Sequence, residues 1–140
     1  MSLAELPAWA RDLLDDSRVA RLAFLDDGGL PRVLPVTYAL AEGAVWSAID
    51  QKPKRSSEPA RLRYLRRMPK AALCVDRYED DWEQLAWVQL LGRVDLFEPA
   101  AATAGLEALV AKYAPYRESR PGGPLLRLGV QRALHWRAAG

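Results

Sequence analysis

The sequence predicts a mainly β chain, a small antiparallel barrel with flanking helices, and three observations carry that expectation. Short apolar runs dominate, and they are bounded by turn residues such as Asp26-Asp27-Gly28-Gly29 and Glu42-Gly43. Helical periodicity is confined to three stretches: the start, the segment before Pro69 and an alanine-rich segment after Pro99. Strands and helices do not alternate regularly, as a parallel sheet would require.

The elements follow in order. Ser2-Leu3-Ala4-Glu5 has capping-box spacing, and Leu3, Leu6, Ala10, Leu13 and Leu14 recur at helical intervals, which predicts an amphipathic helix to about Asp16. Val19 to Leu25 reads as a strand, Asp26 to Gly29 as its hairpin turn and Arg32 to Ala39 as the return strand. Glu42-Gly43 then turns the chain into a third strand, Ala44 to Ile49, so that three strands in series predict a meander. Pro35 lacks an amide hydrogen, so the ladder must be open or bulged there, or the strand must lie at an edge.

Glu58 to Met68 is a second helix, with Leu62 and Leu65 inward, Arg61, Arg63, Arg66 and Arg67 around them, and Pro69 as its stop. Ala71 to Asp76 reads as a buried fourth strand. An acidic, aromatic connection (Tyr78-Glu79-Asp80-Asp81-Trp82) leads to a long fifth strand from about Leu85 to Phe97, in which Gly92 marks a bend or bulge. Pro99 to Tyr113 is a late helix, Pro115 to Pro124 a polar loop, and Leu125 to Ala138 one or two closing strands.

At 140 residues the chain is long enough for one domain, 1–140, with a core of its own. A formal charge of +2 gives no global pull toward nucleic acid or an anionic membrane. One cysteine, Cys74, and one histidine, His135, exclude a zinc cluster, an internal disulfide and a catalytic triad. The N-terminus lacks the pattern of a signal peptide and no apolar run approaches a membrane span, so a cytoplasmic location and no membrane partner are expected.

Candidate chemistry is local. Lys52-Pro53-Lys54-Arg55, followed by Ser56 and Ser57 at a helix start, makes either a phosphate site or a solvated basic loop. Among five tryptophans, Trp82 and Trp87 flank a strand start, where they suit core packing, an interface or a planar ligand, while Trp46 suits packing and Trp136 the closing strand. His135 has no carboxylate or nucleophile beside it in sequence, Cys74 reads as an inert core thiol, and Asp76, Glu79, Asp80, Asp81 and Glu83 lack metal-loop spacing and read as partners of the arginine-rich helix, within the chain or across subunits.

The segments Ile49 to Arg55, Arg61 to Pro69, Val75 to Trp82 and Ala86 to Gly92 together resemble the pyridoxamine 5'-phosphate oxidase-like FMN-binding split-barrel superfamily, in its coenzyme F420-dependent branch. The most specific portions are the Asp-x-Lys-Pro-Lys-Arg loop and the Tyr-x-x-Asp-Trp segment. The resemblance implies a six-stranded antiparallel split β-barrel with flanking α-helices, a homodimer, and cofactor sites along the dimer interface. It places the cofactor ring against Pro35, Val36, Thr37, Ser47, Ala48 and Ile49, its phosphate on Lys52, Lys54 and Arg55, and the partner's Trp82, Trp87 and Gln89 across the site. Gln89 stands where many relatives carry an arginine, which leaves FMN open beside F420.

The implied activity is hydride transfer between F420, or FMN, and a small planar or unsaturated substrate. That chemistry needs alignment and exclusion of water more than a dedicated acid or base, and no catalytic residue is named. A non-catalytic flavin, deazaflavin or haem binder is the alternative, with a nucleic-acid binder behind it.

Overall fold

The computed structural model describes residues 1–49 and 59–138. Among these residues seven antiparallel strands form one sheet: β1 (Ala20–Leu25), β2 (Pro31–Val36), β3 (Ala39–Ala41), β4 (Ala44–Ala48), β5 (Lys70–Arg77), β6 (Ala86–Phe97) and β7 (Leu125–Arg137). Their order across the sheet is β2-β1-β5-β6-β7-β4-β3. Four α-helices among the described residues flank them: α1 (Ala8–Asp16), α2 (Ala60–Arg67), α3 (Thr103–Lys112) and α4 (Ala114–Glu118).

The sheet must close on itself, and one connection shows why. β2 and β3 are its opposite edges, yet only Thr37 and Tyr38 lie between them. Seven strands laid flat would separate the edges by roughly 29 Å. Three Cα steps from Val36 to Ala39 reach at most about 11 Å. The edges therefore meet, and the mainly β antiparallel barrel is closed through the chain rather than through a continuous ladder.

This corrects the expected meander. The return strand is interrupted at Thr37 and Tyr38, which turns six expected strands into seven and sends β3 to pair with β4, while β2 pairs with β1. Pro35 lies on the edge strand in uninterrupted register with Arg21, so of the expected alternatives the edge placement holds. The crossing is pinned from several sides. Ser47 Oγ donates to the Thr37 carbonyl at 2.6 Å, and the Thr37 and Tyr116 hydroxyls share a hydrogen bond of 2.7 Å. Tyr38 is fully buried, with its hydroxyl donating to the Leu14 carbonyl and its N–H donating to the Tyr113 hydroxyl at 3.0 Å.

The barrel interior is filled from alternate strand positions by Leu22, Leu73, Val75, Val88, Leu90, Leu126 and Leu128, and closed by Leu6, Ala10 and Leu14 from the N-terminal segment and Leu62 and Leu65 from α2. The opening helix is divided: a 3-10 turn, Leu3–Glu5, precedes α1, because Leu6 stands before Pro7 and is held extended at φ −61°, ψ 142°. The Ser2 amide does donate to Glu5 Oε1 at 2.8 Å, as the capping-box spacing predicts. The late helix is likewise divided, into a 3-10 turn at Pro99–Ala101 and α3, and the expected polar loop contains α4, with Pro115 in its first turn.

At Glu42 and Gly43 φ is +51° and +71°, the pair of positive values a two-residue hairpin turn demands. Gly92 sits at a β-bulge, where Gly92 pairs with Val130, Leu91 with Arg132, and Gln131 is the extra residue. A Cβ on Gly92 would lie 1.9 Å from the Gly129 carbonyl oxygen, so no side chain fits there. The bulge exchanges the two faces of β7: before it Leu126 and Leu128 point inward, and after it Ala133 and His135 do, which leaves Leu134 and Trp136 pointing outward.

Candidate functional site

The outer surface of this barrel has two halves. Over β3, β4 and the start of β7, α3 covers it: Trp46, Ala39 and Leu125 are buried against Leu109, Ala102 and Tyr113. Gly105 allows the helix that close, since a Cβ there would stand 2.3 Å from the Trp46 ring. Over β2, β1, β5, β6 and the end of β7 no helix among the described residues covers the outward side chains.

Register assembles this bare half. Directly opposed residues point to the same face, so Pro35, Arg21, Cys74, Gln89 and Leu134 form one row across five strands. Val33, Ala23, Ala72, Leu91 and Arg132 form the next row, and Asp76, Trp87 and Trp136 a third on the other side. The face is unusually apolar for an uncovered sheet, with Val33 67%, Trp136 45% and Trp87 36% exposed. At its centre is an open groove of about 590 Å³ lined by Arg21, Cys74, Asp76, Trp87 and Gln89.

Cys74 is therefore half-buried on the outer face, and β5 is covered on one side only; neither the inert core thiol nor the wholly buried strand is what forms. Partial burial raises the Cys74 thiol pKa, Asp76 adds to the rise, and Arg21 opposes it. The thiol stays protonated near neutral pH and is a poor nucleophile.

The structure brings some of the expected site residues together and separates others. Pro35, Trp87 and Gln89 share the bare face. Thr37 and Ser47 are bonded to each other beside the crossing, two residues beyond Pro35. Ser47 and Ile49 are buried, Val36 packs against the barrel core and Ala48 against the cluster beneath α3. Trp82 is exposed in a 3-10 turn, Trp82–Gln84, outside the groove lining, where Asp81 Oδ1 accepts the Glu83 N–H at 3.2 Å. Lys52, Lys54 and Arg55 lie outside the described residues.

Arg21, Cys74 and Asp76 were not among the expected contacts, although period-two alternation places them on one face once the registers are known. Within the chain, two arginines of the arginine-rich helix turn to Asp27 in the β1–β2 turn: Arg67 Nη1 pairs with it at 3.0 Å, and Arg63 Nε at 3.8 Å. His135 points inward and meets the edge of the Trp9 ring at 5.6 Å. Among the described residues no group of three metal-ligating side chains occurs, and no helix is long and apolar enough to cross a membrane.

Chemically, the groove offers an aromatic wall at Trp87, an amide at Gln89 and a guanidinium at Arg21. That set fits a planar, polar-edged ring with a negative group, because an indole face stacks on aromatic rings and a guanidinium pairs with anions.

Comparison with known proteins agrees with this fold. The family profile described as Pyridoxamine 5'-phosphate oxidase matches residues 8–127. No curated protein matches the chain. Among solved structures, a conserved hypothetical protein from Mycobacterium tuberculosis is similar with a TM-score of 0.73 at 23% identity, over 99% of this chain and 86% of the other. A FAD-binding protein from Mesorhizobium loti has a TM-score of 0.68 at 20% identity, over 93% and 94%. A heme binding protein from Mycobacterium smegmatis has a TM-score of 0.73 at 23% identity; 96% of this chain is covered, but only 55% of that longer one. At these identities the likeness is one of fold.

Proposed function

Because the chain belongs to the pyridoxamine 5'-phosphate oxidase family, matched over residues 8–127, we propose that it is an oxidoreductase that holds F420, or alternatively FMN, on the bare half of its barrel. Two copies would face each other there and enclose the cofactor. The observation that supports this most directly is the row Pro35, Arg21, Cys74, Gln89 and Leu134, an in-register and uncovered face that already contains the groove.

When bound, the ring supplies hydride chemistry to a small planar or unsaturated substrate. The chain's own contribution is placement. Trp87 gives a surface to stack on, Gln89 donates and accepts at the ring edge, and Arg21 holds negative charge. Thr37, anchored by Ser47 and Tyr116, keeps the crossing fixed beside Pro35. A second copy would exclude water, which this reaction needs more than an acid or base. Lys52, Lys54 and Arg55 remain the proposed phosphate contacts.

The test is titration of the purified protein with F420 and with FMN, followed by tryptophan fluorescence, with the molecular mass measured in parallel. F420 binding to a dimer supports the first reading, and FMN binding alone selects the alternative. A monomer that binds neither ends the proposal. A second reading, a non-catalytic flavin or haem carrier, is favoured by the similarity in fold to a heme binding protein. It expects binding without turnover of any quinone, nitro compound or enone.

A further inference from the structure

Lys112 is a nucleophile that the ring site does not use. It ends α3, and its half-buried ammonium lies 3.9 Å from the centre of the Tyr38 ring and 5.5 Å from that of Tyr113. A second cation shares this corner. The Arg18 guanidinium stands 4.8 Å over the Tyr113 ring, and its Nη2 donates to the Lys112 carbonyl at 2.7 Å. Among the described residues neither cation forms an ion pair. The acids that act on Lys112, Asp15 and Asp16 at the end of α1, are exposed to water.

Two positive charges gathered on one pair of rings, one of them partly out of water, repel each other. Arginine keeps its proton, so it is the lysine that yields. Burial and Arg18 together bring the Lys112 pKa down to about 8, against 10.5 for an ordinary lysine. Near neutral pH the share of unprotonated amine is then on the order of a hundredfold greater than an ordinary lysine keeps. A free amine attacks electrophilic carbon, and half-burial against Tyr38 favours a small, uncharged reagent. Carbon dioxide meets that description. Its adduct, a carbamate, is an anion, and it replaces the repulsion between two cations with attraction to one. The Arg18 guanidinium makes one side-chain hydrogen bond among the described residues and keeps donors to offer that anion.

We propose that Lys112 is a site of reversible modification by carbon dioxide, with the carbamate held by Arg18. The Nζ lone pair attacks the carbon of carbon dioxide, an N–C bond forms, and one C–O π pair moves onto oxygen. The proton shed by Nζ goes to solvent, so the neutral amine becomes a singly negative carbamate, and reprotonation of the nitrogen reverses the step. The change takes a cation away from Tyr38, whose N–H and hydroxyl pin the crossing between β2 and β3.

The experiment equilibrates the full chain near neutral pH with isotopically labelled carbon dioxide and bicarbonate, alkylates the carbamates with triethyloxonium, and locates them by peptide mass spectrometry. Occupancy at Lys112 is expected to exceed that at the exposed Lys70 at least about tenfold. The carbamate carbon resonance, read by NMR on the undigested protein, is expected to vanish in Lys112→Arg, which keeps the positive charge, and to fall severalfold in Arg18→Gln. Circular dichroism checks that both variants are folded. Label absent from Lys112, or spread equally over Lys112 and Lys70, overturns the proposal in the wild type alone, whatever either variant does. Full occupancy in a folded Arg18→Gln overturns the part assigned to Arg18.

Discussion

On β3, β4 and the start of β7 the outward side chains disappear beneath α3, and Trp46 is left 5% exposed. On β2, β1, β5, β6 and the end of β7, outward side chains of the same chemistry stay in water, Trp87 and Trp136 among them. One sheet is thus finished in two ways, and the difference lies in what the described residues supply. Where α3 returns across the barrel, a tryptophan and a glycine interlock. Where none of the described residues returns, the surface remains apolar, grooved and positively charged.

The contrast can be broken at its covered side first. Trp46→Ala is expected to cost about 3–5 kcal/mol, the range for emptying a large aromatic site in a core. Urea unfolding followed by far-UV circular dichroism would show it. Gly105→Ala adds an atom 2.3 Å from the Trp46 ring, and crowding of that kind is expected to cost about 1–3 kcal/mol despite alanine's better helix propensity. A neutral or stabilising result in the same assay would mean that α3 rides further from the sheet.

A smaller effect comes from pH. The Lys112 ammonium lies 3.9 Å over the Tyr38 ring, and its pKa is pushed down to about 8, by burial first and by Arg18 next, with Asp15 and Asp16 opposing. The unfolded chain holds that proton to about 10.5. The folded state is therefore penalised below pH 8, and stability rises as pH climbs from about 8 toward 10.5. Burial raises the hydroxyls of Tyr38 and Tyr113, so their contribution has the opposite sign, and stability is lost above pH 10 as the unfolded tyrosines ionise. Denaturation midpoints across this interval are expected to show the rise in the wild type and not in Lys112→Met. The smallest effect belongs to the bare half: Trp136→Ala is expected to change monomer stability by less than about 0.5 kcal/mol while weakening self-association. A loss as large as that at Trp46 would show that the two halves do not differ.

Much of the fold was legible in local pattern. Period-two runs and glycine-bearing turns marked the strands, Pro69 ended α2, and Gly92 announced the bulge. The departures have physical causes that local pattern does not carry. Pro7 breaks the opening helix because it constrains Leu6, a one-residue effect that the apolar spacing conceals. Cys74 was assigned to the core because Ala71 to Val75 reads as uniformly apolar, although only Leu73 and Val75 are fully buried. The family resemblance supplied Pro35, Trp87 and Gln89, which do share a face. Arg21 and Trp136 were out of reach, because their company depends on register across four strand pairings and on the face exchange at Gln131. Lys52, Lys54 and Arg55 lie outside the described residues.

One consequence follows from the way the barrel is closed. Its two sheet margins lie next to each other without a ladder between them, and an unpaired margin is a template on which a foreign strand can grow. β3 offers only three residues for such growth. β2 is longer, but Pro31 and Pro35 deprive it of two donors. These prolines therefore also act as guards against aggregation, keeping a permanently open seam from being extended by a neighbouring molecule.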